Sequence, residues 1–212
     1  MAVNIFSQKV ITKSLNSKAE KVIIEFNIID KIDLITSNDE NMIFVVVESE
    51  NEIIPRVSLK EENGIIFIKS NEKFEDENSI NLDKSCSIQP NYSSYQIRVP
   101  KNKKLDISFT HGNFYANGFI GDLNLKIEEG IVKVNDFKGS VFVHINLGNV
   151  HFEGIRDTEL SVTSNLGLVS SDLEMINPKK GKNYLKGVYQ KSINQLRVNA
   201  ILANIHLTSS MN

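Results

Sequence analysis

The chain has 212 residues, 41% of them hydrophobic and 24% charged, a composition in the range of soluble globular proteins that excludes collagen-like, coiled-coil and low-complexity chains. Its 24 basic and 26 acidic side chains leave a formal net charge of -2, so it has no basic field to draw it onto nucleic acid or anionic lipid. The single cysteine, Cys86, rules out an internal disulfide and a multi-cysteine metal centre. With 27 Ile, 25 Asn and no Trp, β-branched residues for strands and amides for turns predict an all-β protein.

No run approaches the roughly 18 to 20 apolar residues of a membrane helix, and the longest apolar runs, such as residues 42–47, are strand-sized. No transmembrane segment is expected. Residues 1–8 lack a basic n-region and do not form a signal peptide as they stand, although 3–8 would suit the end of a trimmed one. Secreted and cytoplasmic locations both stay open on this ground.

In chain order, strand patterns fall at residues 22–26, 32–35, 42–47, 57–59, 65–68 and 95–99, separated by turn chemistry at 36–41 and 61–64. Residues 20–100 therefore read as irregular N-terminal β coils that begin or cap a more regular body, because a bare stack end exposes pairing edges. The polar stretch 71–90, with Glu75, Asp76, Glu77 and Cys86, reads as a loop.

From 105 to 207 one pattern recurs five times: three alternating apolar positions, a small residue, then two more apolar positions. Its copies begin at Leu105, Leu123, Val141, Leu160 and Leu196, and the small-residue column is Gly112, Gly130, Gly148, Gly167 and Ala203. The first spacings are 18 residues. Alternation on both sides of each glycine predicts two short strands meeting at a corner, each with one buried face. Like residues in register would then stack as ladders: Ile107, Leu125, Val143, Val162 and Val198 in one, Phe114, Val132, Val150, Val169 and Ile205 in another.

The expected fold is a single all-β domain over 1–212, a single-stranded parallel β-helix or β-roll solenoid with coils of about 18 residues and a loop insertion at 172–194. A left-handed hexapeptide helix fails because a six-residue step from Leu105 lands on His111 and Asn117, and a calcium β-roll fails for want of its Gly-Gly-x-Gly-x-Asp string.

The segment Tyr95-Gln96-Ile97-Arg98-Val99-Pro100 leading into Leu105-Asp106-Ile107, the four corner glycines and the closing coil 196–207 resemble the bacterial putative-adhesin β-helix family, also described as the auto-transporter adhesin head or GIN-type domain. The resemblance spans roughly residues 22–207, rests on apolar and glycine patterns, and departs from the family at Ala203. It implies a β-helix of the bacterial envelope with no established enzyme activity and no catalytic residues to carry over.

Reactive constellations are sparse. His144 and His151 flank the Gly148 corner and should diverge, while His151 and His206 share a column with Ser170 expected between them, roughly 9 to 10 Å apart and too far for one zinc ion. No metal and no cofactor is expected. Cys86 has no neighbouring base, the 75–77 acidic cluster lacks calcium-loop spacing, and Lys179, Lys180 and Lys182 read as a solvated loop. What remains is a binding face on two outward columns. Asp106, Asn124, Phe142, Ser161 and Arg197 form one, and Tyr115, Lys133, His151, Ser170 and His206 form the other. Of these, Tyr115, Lys133, Phe142, His151, Arg197 and His206 are the candidate contact residues.

The resulting expectation is a noncatalytic cell-envelope or extracellular protein, an adhesin or binding scaffold whose partner is a glycan or envelope protein rather than nucleic acid. Two alternatives stand beside it: a polysaccharide-processing enzyme, for which Asp106 is the only acidic group on those columns, and an intracellular or membrane-associated signalling scaffold.

Overall fold

The computed structural model describes residues 9–49, 56–71 and 92–209. The loop predicted at 71–90, with Glu75, Asp76, Glu77 and Cys86, lies outside them apart from Asn71. The strands are β1 Lys9–Asn16, β2 Lys21–Glu25, β3 Ile28–Ser37, β4 Met42–Ser49, β5 Arg56–Glu62, β6 Ile65–Asn71, β7 Ser94–Pro100, β8 Lys103–Ile155, β9 Thr158–Ser164, β10 Val169–Ser171, β11 Ile176–Lys180, β12 Tyr184–Tyr189 and β13 Asn194–Ser209.

The six predicted N-terminal strands fall on β2 to β7. Their alternation is the cause: in β4 the side chains of Ile43, Val45 and Val47 are buried while the residues between them are only partly so, which fixes the register of a half-buried strand. Side-chain turns separate them, as where Asp39 Oδ1 accepts from the backbone N–H groups of Asn41 and Met42 at 3.2 Å. Strand β1, whose sequence Lys-Val-Ile-Thr-Lys-Ser-Leu-Asn is exposed over most of its length, carries too little apolar patterning to announce itself.

The strands form one open 13-stranded sheet in the order β1-β4-β7-β3-β8-β13-β9-β12-β11, with β10 also on β13, β2 on β8 and β6, and β5 on β6. This overturns the expected single-stranded parallel β-helix or β-roll solenoid, because the sheet is mixed. Pairs β2/β6, β2/β8, β3/β7, β3/β8, β8/β13, β9/β13 and β10/β13 are parallel. Pairs β1/β4, β4/β7, β5/β6, β9/β12 and β11/β12 are antiparallel. The reason lies in the connections. Between β5 and β6 the left-handed pair Asn63 (φ 52°) and Gly64 (φ 74°) makes a tight reversal, and strands joined by such a turn run antiparallel. A repeat of like residues says which side chains line up; it does not set the direction of the strands around them.

Residues 18 apart do meet within β8. Asn124 Nδ2 donates to Asp106 Oδ1 at 3.2 Å, and the Ile131 N–H donates to Asn113 Oδ1 at 3.2 Å. At the corners the backbone of Gly130 lies on Gly112 and that of Gly148 on Gly130, with φ of 155° and 137°. A Cβ at either glycine would collide with the carbonyl oxygen beneath it, so the column needs glycine for space as well as for its dihedrals.

The order of the last strands differs from the sequence order. Strand β13 lies between β8 and β9: Leu196 is in register with Val141 on one side and Leu160 on the other, and Val198 with Val143 and Val162. Farther along, Ile205 faces Val150 and Val169. The segment expected as a loop at 172–194 contains β11 and β12, a hairpin that extends the sheet beyond β9. One cluster of buried side chains runs from Ala19 to Leu207 and includes Tyr95, Phe114, Phe119 and Phe152, the apolar burial that drives such a sheet to form.

Candidate functional site

Strand alternation sends the residues next to each core position outward, and pairing brings them into columns across neighbouring strands. In the first column Ile23, Asp106, Asn124, Phe142, Arg197, Ser161 and Lys186 succeed one another, the registers Ile23 to Asp106, Phe142 to Arg197, Arg197 to Ser161 and Ser161 to Lys186 fixing the order. A shallow groove runs across them. One part is lined by Lys21, Asp106, Asp122, Asn124, Phe142, Gln195 and Arg197, and its continuation by Phe142, Glu159, Ser161, Lys186, Arg197 and Asn199. Phe142, half-buried, and Arg197, exposed, line both parts.

The groove is chemically uneven along its length. At one end Asp106 is fully engaged, its Oδ2 with Lys21 Nζ at 2.7 Å and its Oδ1 with Asn124. With both oxygens engaged by these partners, the carboxylate is badly placed to relay protons. Farther along, Arg197, which lines both parts, and Lys186 make no ion pair within 4 Å among the described residues. Sequence reasoning found Asp106, Asn124, Phe142, Ser161 and Arg197 but missed Lys21, Asp122, Gln195 and Lys186, as well as Glu159 and Asn199. The first three are outward positions that the same alternation marks, while Lys186 depended on the unforeseen β12.

The second column holds Asp33, Tyr115, Lys133, His151, His206 and Ser170, with Asp33 beside Tyr115, His151 beside His206, and His206 beside Ser170 by register. Here the expected spacing is corrected. Because β13 is inserted between β8 and the strand carrying Ser170, the two imidazoles are immediate neighbours, with ring centroids 6.2 Å apart and planes at 64°, instead of being separated by Ser170. Ser170 Oγ lies 2.8 Å from His206 Nδ1 on the far side. Lys133 Nζ is 3.0 Å from Glu153 Oε1. Burial holds the His151 imidazole below its ordinary pKa, and the neighbouring His206 and Lys133 push it the same way against the opposing pull of Glu153.

His144 lies in register with Asn199, in a different column from His151, and His111 Nε2 is 3.4 Å from Glu129 Oε2. The lysines 179 and 180 are exposed on β11. Among the described residues no group of three or more His, Cys, Asp or Glu side chains is gathered closely enough to hold a metal ion. No helix among them is long and apolar enough to cross a membrane.

No protein-family model matches the chain, and no curated protein matches it in sequence. Solved structures do. A putative cell adhesion protein from Clostridium sporogenes ATCC 15579 is 18% identical with a TM-score of 0.69, the match covering 96% of this chain and 100% of that one. A putative adhesin from Bacteroides fragilis NCTC 9343 is 10% identical with a TM-score of 0.33, covering 95% and 98%. A putative adhesin from Parabacteroides distasonis ATCC 8503 is 9% identical with a TM-score of 0.27, covering 93% and 97%. At 18% identity and full coverage, the likeness to the Clostridium sporogenes chain is one of fold.

Proposed function

We propose that this chain is a noncatalytic binding protein of the adhesin type, acting in the cell envelope or outside the cell and taking an extended glycan across its strands. The observation that carries this reading is the groove itself. It is open, runs from strand to strand at the regular sheet spacing of about 4.8 Å, and offers one aromatic face, Phe142, flanked by hydrogen-bonding groups on Asn124, Gln195, Ser161 and Arg197. A sugar chain needs that combination: a flat apolar face to stack on and amide, hydroxyl and guanidinium groups to meet its hydroxyls. The fold shared with a structure described as a putative cell adhesion protein agrees with it, as does the resemblance read from the corner glycines.

The polysaccharide-processing alternative finds less support. Glycoside hydrolysis calls for two carboxyl groups set across a bond; of the three that line the groove, Asp106, Asp122 and Glu159, Asp106 is tied to Lys21 and Asn124 and Glu159 accepts from Ser192 Oγ at 3.2 Å. Screening the full chain on a glycan array should return a family of related oligosaccharides, and Phe142→Ala should weaken binding to them at least about fivefold, in keeping with the roughly 1 kcal/mol of a lost aromatic contact. Arg197→Ala should weaken it further for anionic members. An array with no hits, or hits indifferent to both substitutions, would overturn the reading.

A further inference from the structure

The histidines of the second column lie away from the groove and call for a separate account. We propose that His151 and His206 form a surface site for a divalent transition-metal ion of the zinc and copper class, bound through one nitrogen of each imidazole, with water in the remaining positions. The argument begins with register. The two residues face each other across the parallel pair β8/β13, so their side chains leave the sheet from neighbouring strands about 4.8 Å apart and in the same direction. A ring nitrogen sits about 2.1 Å from bound zinc, which puts the centroids of two imidazoles on one tetrahedral ion about 5 Å apart. The observed 6.2 Å at 64° is within reach of that arrangement by rotation of the half-buried His151 and exposed His206 side chains, with no movement of the sheet.

Orientation is supplied by a third residue. Ser170 Oγ occupies Nδ1 of His206 at 2.8 Å, leaving Nε2 as the nitrogen available to an ion. An imidazole steered through its other nitrogen by a hydrogen-bonding neighbour is the common arrangement around bound metals. Imidazole ligands select ions such as zinc, copper and nickel over calcium and magnesium, which prefer oxygen. Glu153, two residues from His151 on the same strand face, is held by Lys133 at 3.0 Å, so the protein supplies two ligands and the ion keeps exchangeable positions.

The test uses the full chain without a polyhistidine tag, freed of metal by chelation, and titrated with Cu²⁺ and Zn²⁺ by calorimetry, with electron paramagnetic resonance on the copper form. The expected result is one equivalent bound with nitrogen couplings from two imidazoles. His151→Ala and His206→Ala should each weaken binding at least about tenfold, Ser170→Ala less, and His144→Ala not at all. Both histidines are on the surface, and matching thermal unfolding midpoints would establish that the variants fold. Absence of stoichiometric binding, or binding that survives either histidine substitution, would overturn the proposal. The glycan array has no bearing on that outcome.

Discussion

At the scale of single residues, the corner glycines answer two separate demands that can be measured apart. Gly148 has a φ of 137° and its missing Cβ would strike the carbonyl oxygen of Gly130. Gly118 has a φ of 65° with nothing within 4 Å of where a Cβ would stand. Alanine at Gly118 carries only the left-handed penalty, about 1 kcal/mol. Alanine at Gly148 adds a collision with backbone that cannot move without displacing the neighbouring strand segment, and should cost at least about 3 kcal/mol. Urea unfolding of both variants with an unchanged m-value checks the difference; equal losses would mean that dihedral preference alone explains the glycine column. The corner glycines 112, 130, 148 and 167 were legible in the sequence because a close approach selects small residues at a fixed spacing, Ala203 beside Gly148 included. The histidine pair was half legible. Outward alternation put His151 and His206 in one column, but nothing in the residues themselves stated which strand would come to lie between them.

At the scale of elements, an open sheet must guard its edges, since unpaired N–H and C=O groups recruit other chains. Strand β12 covers β9 over Tyr184 to Tyr189, and the new edge it creates is taken by β11, whose sequence is built against further pairing. Pro178 removes a donor, Asn177 has a φ of 48°, the register shifts between Ile176 and Lys179, and Lys179 and Lys180 add charge. Each is a recognised way of blunting an edge. Replacing Pro178 with Thr and Lys179 with Val together restores a donor and removes a charge while leaving the core untouched. The double variant should self-associate at concentrations where the parent chain's mass is unchanged, measured by light scattering after size exclusion. The sequence signs of this hairpin were ambiguous: a Pro followed by three lysines within five residues describes a loop as well as it describes a guarded edge strand, and only pairing with β9 separates the two.

At the scale of the whole molecule, the position of β13 is the feature that apolar alternation left open. The copies beginning at Val141, Leu160 and Leu196 present the same alternating face, so β13 fits equally well beyond β9 or between β8 and β9; the long connection through β10, β11 and β12 gives it the reach to enter between them. It does so over most of its length, from Gln195 beside Ser140 to Leu207 beside Phe152 on one side, and from Asn194 beside Thr158 to Ala200 beside Ser164 on the other. Local pattern therefore determined which faces are buried, while the neighbour relation depends on contacts between residues far apart in the chain. The consequence is that β8 and β9 depend for their pairing on a strand that follows both of them in the chain. A strand at the end of a stack can be removed with loss of that strand alone, but a chain truncated after Ser192 loses the strand that joins β8 to β9. Amide hydrogen exchange on the truncated chain should show β9 and β12 unprotected together, with the 140–152 part of β8 weakened, while β2, β3 and β7, which pair elsewhere, stay protected. If β9 kept its protection without β13, pairing across β13 would not be what holds the C-terminal strands to the rest of the sheet.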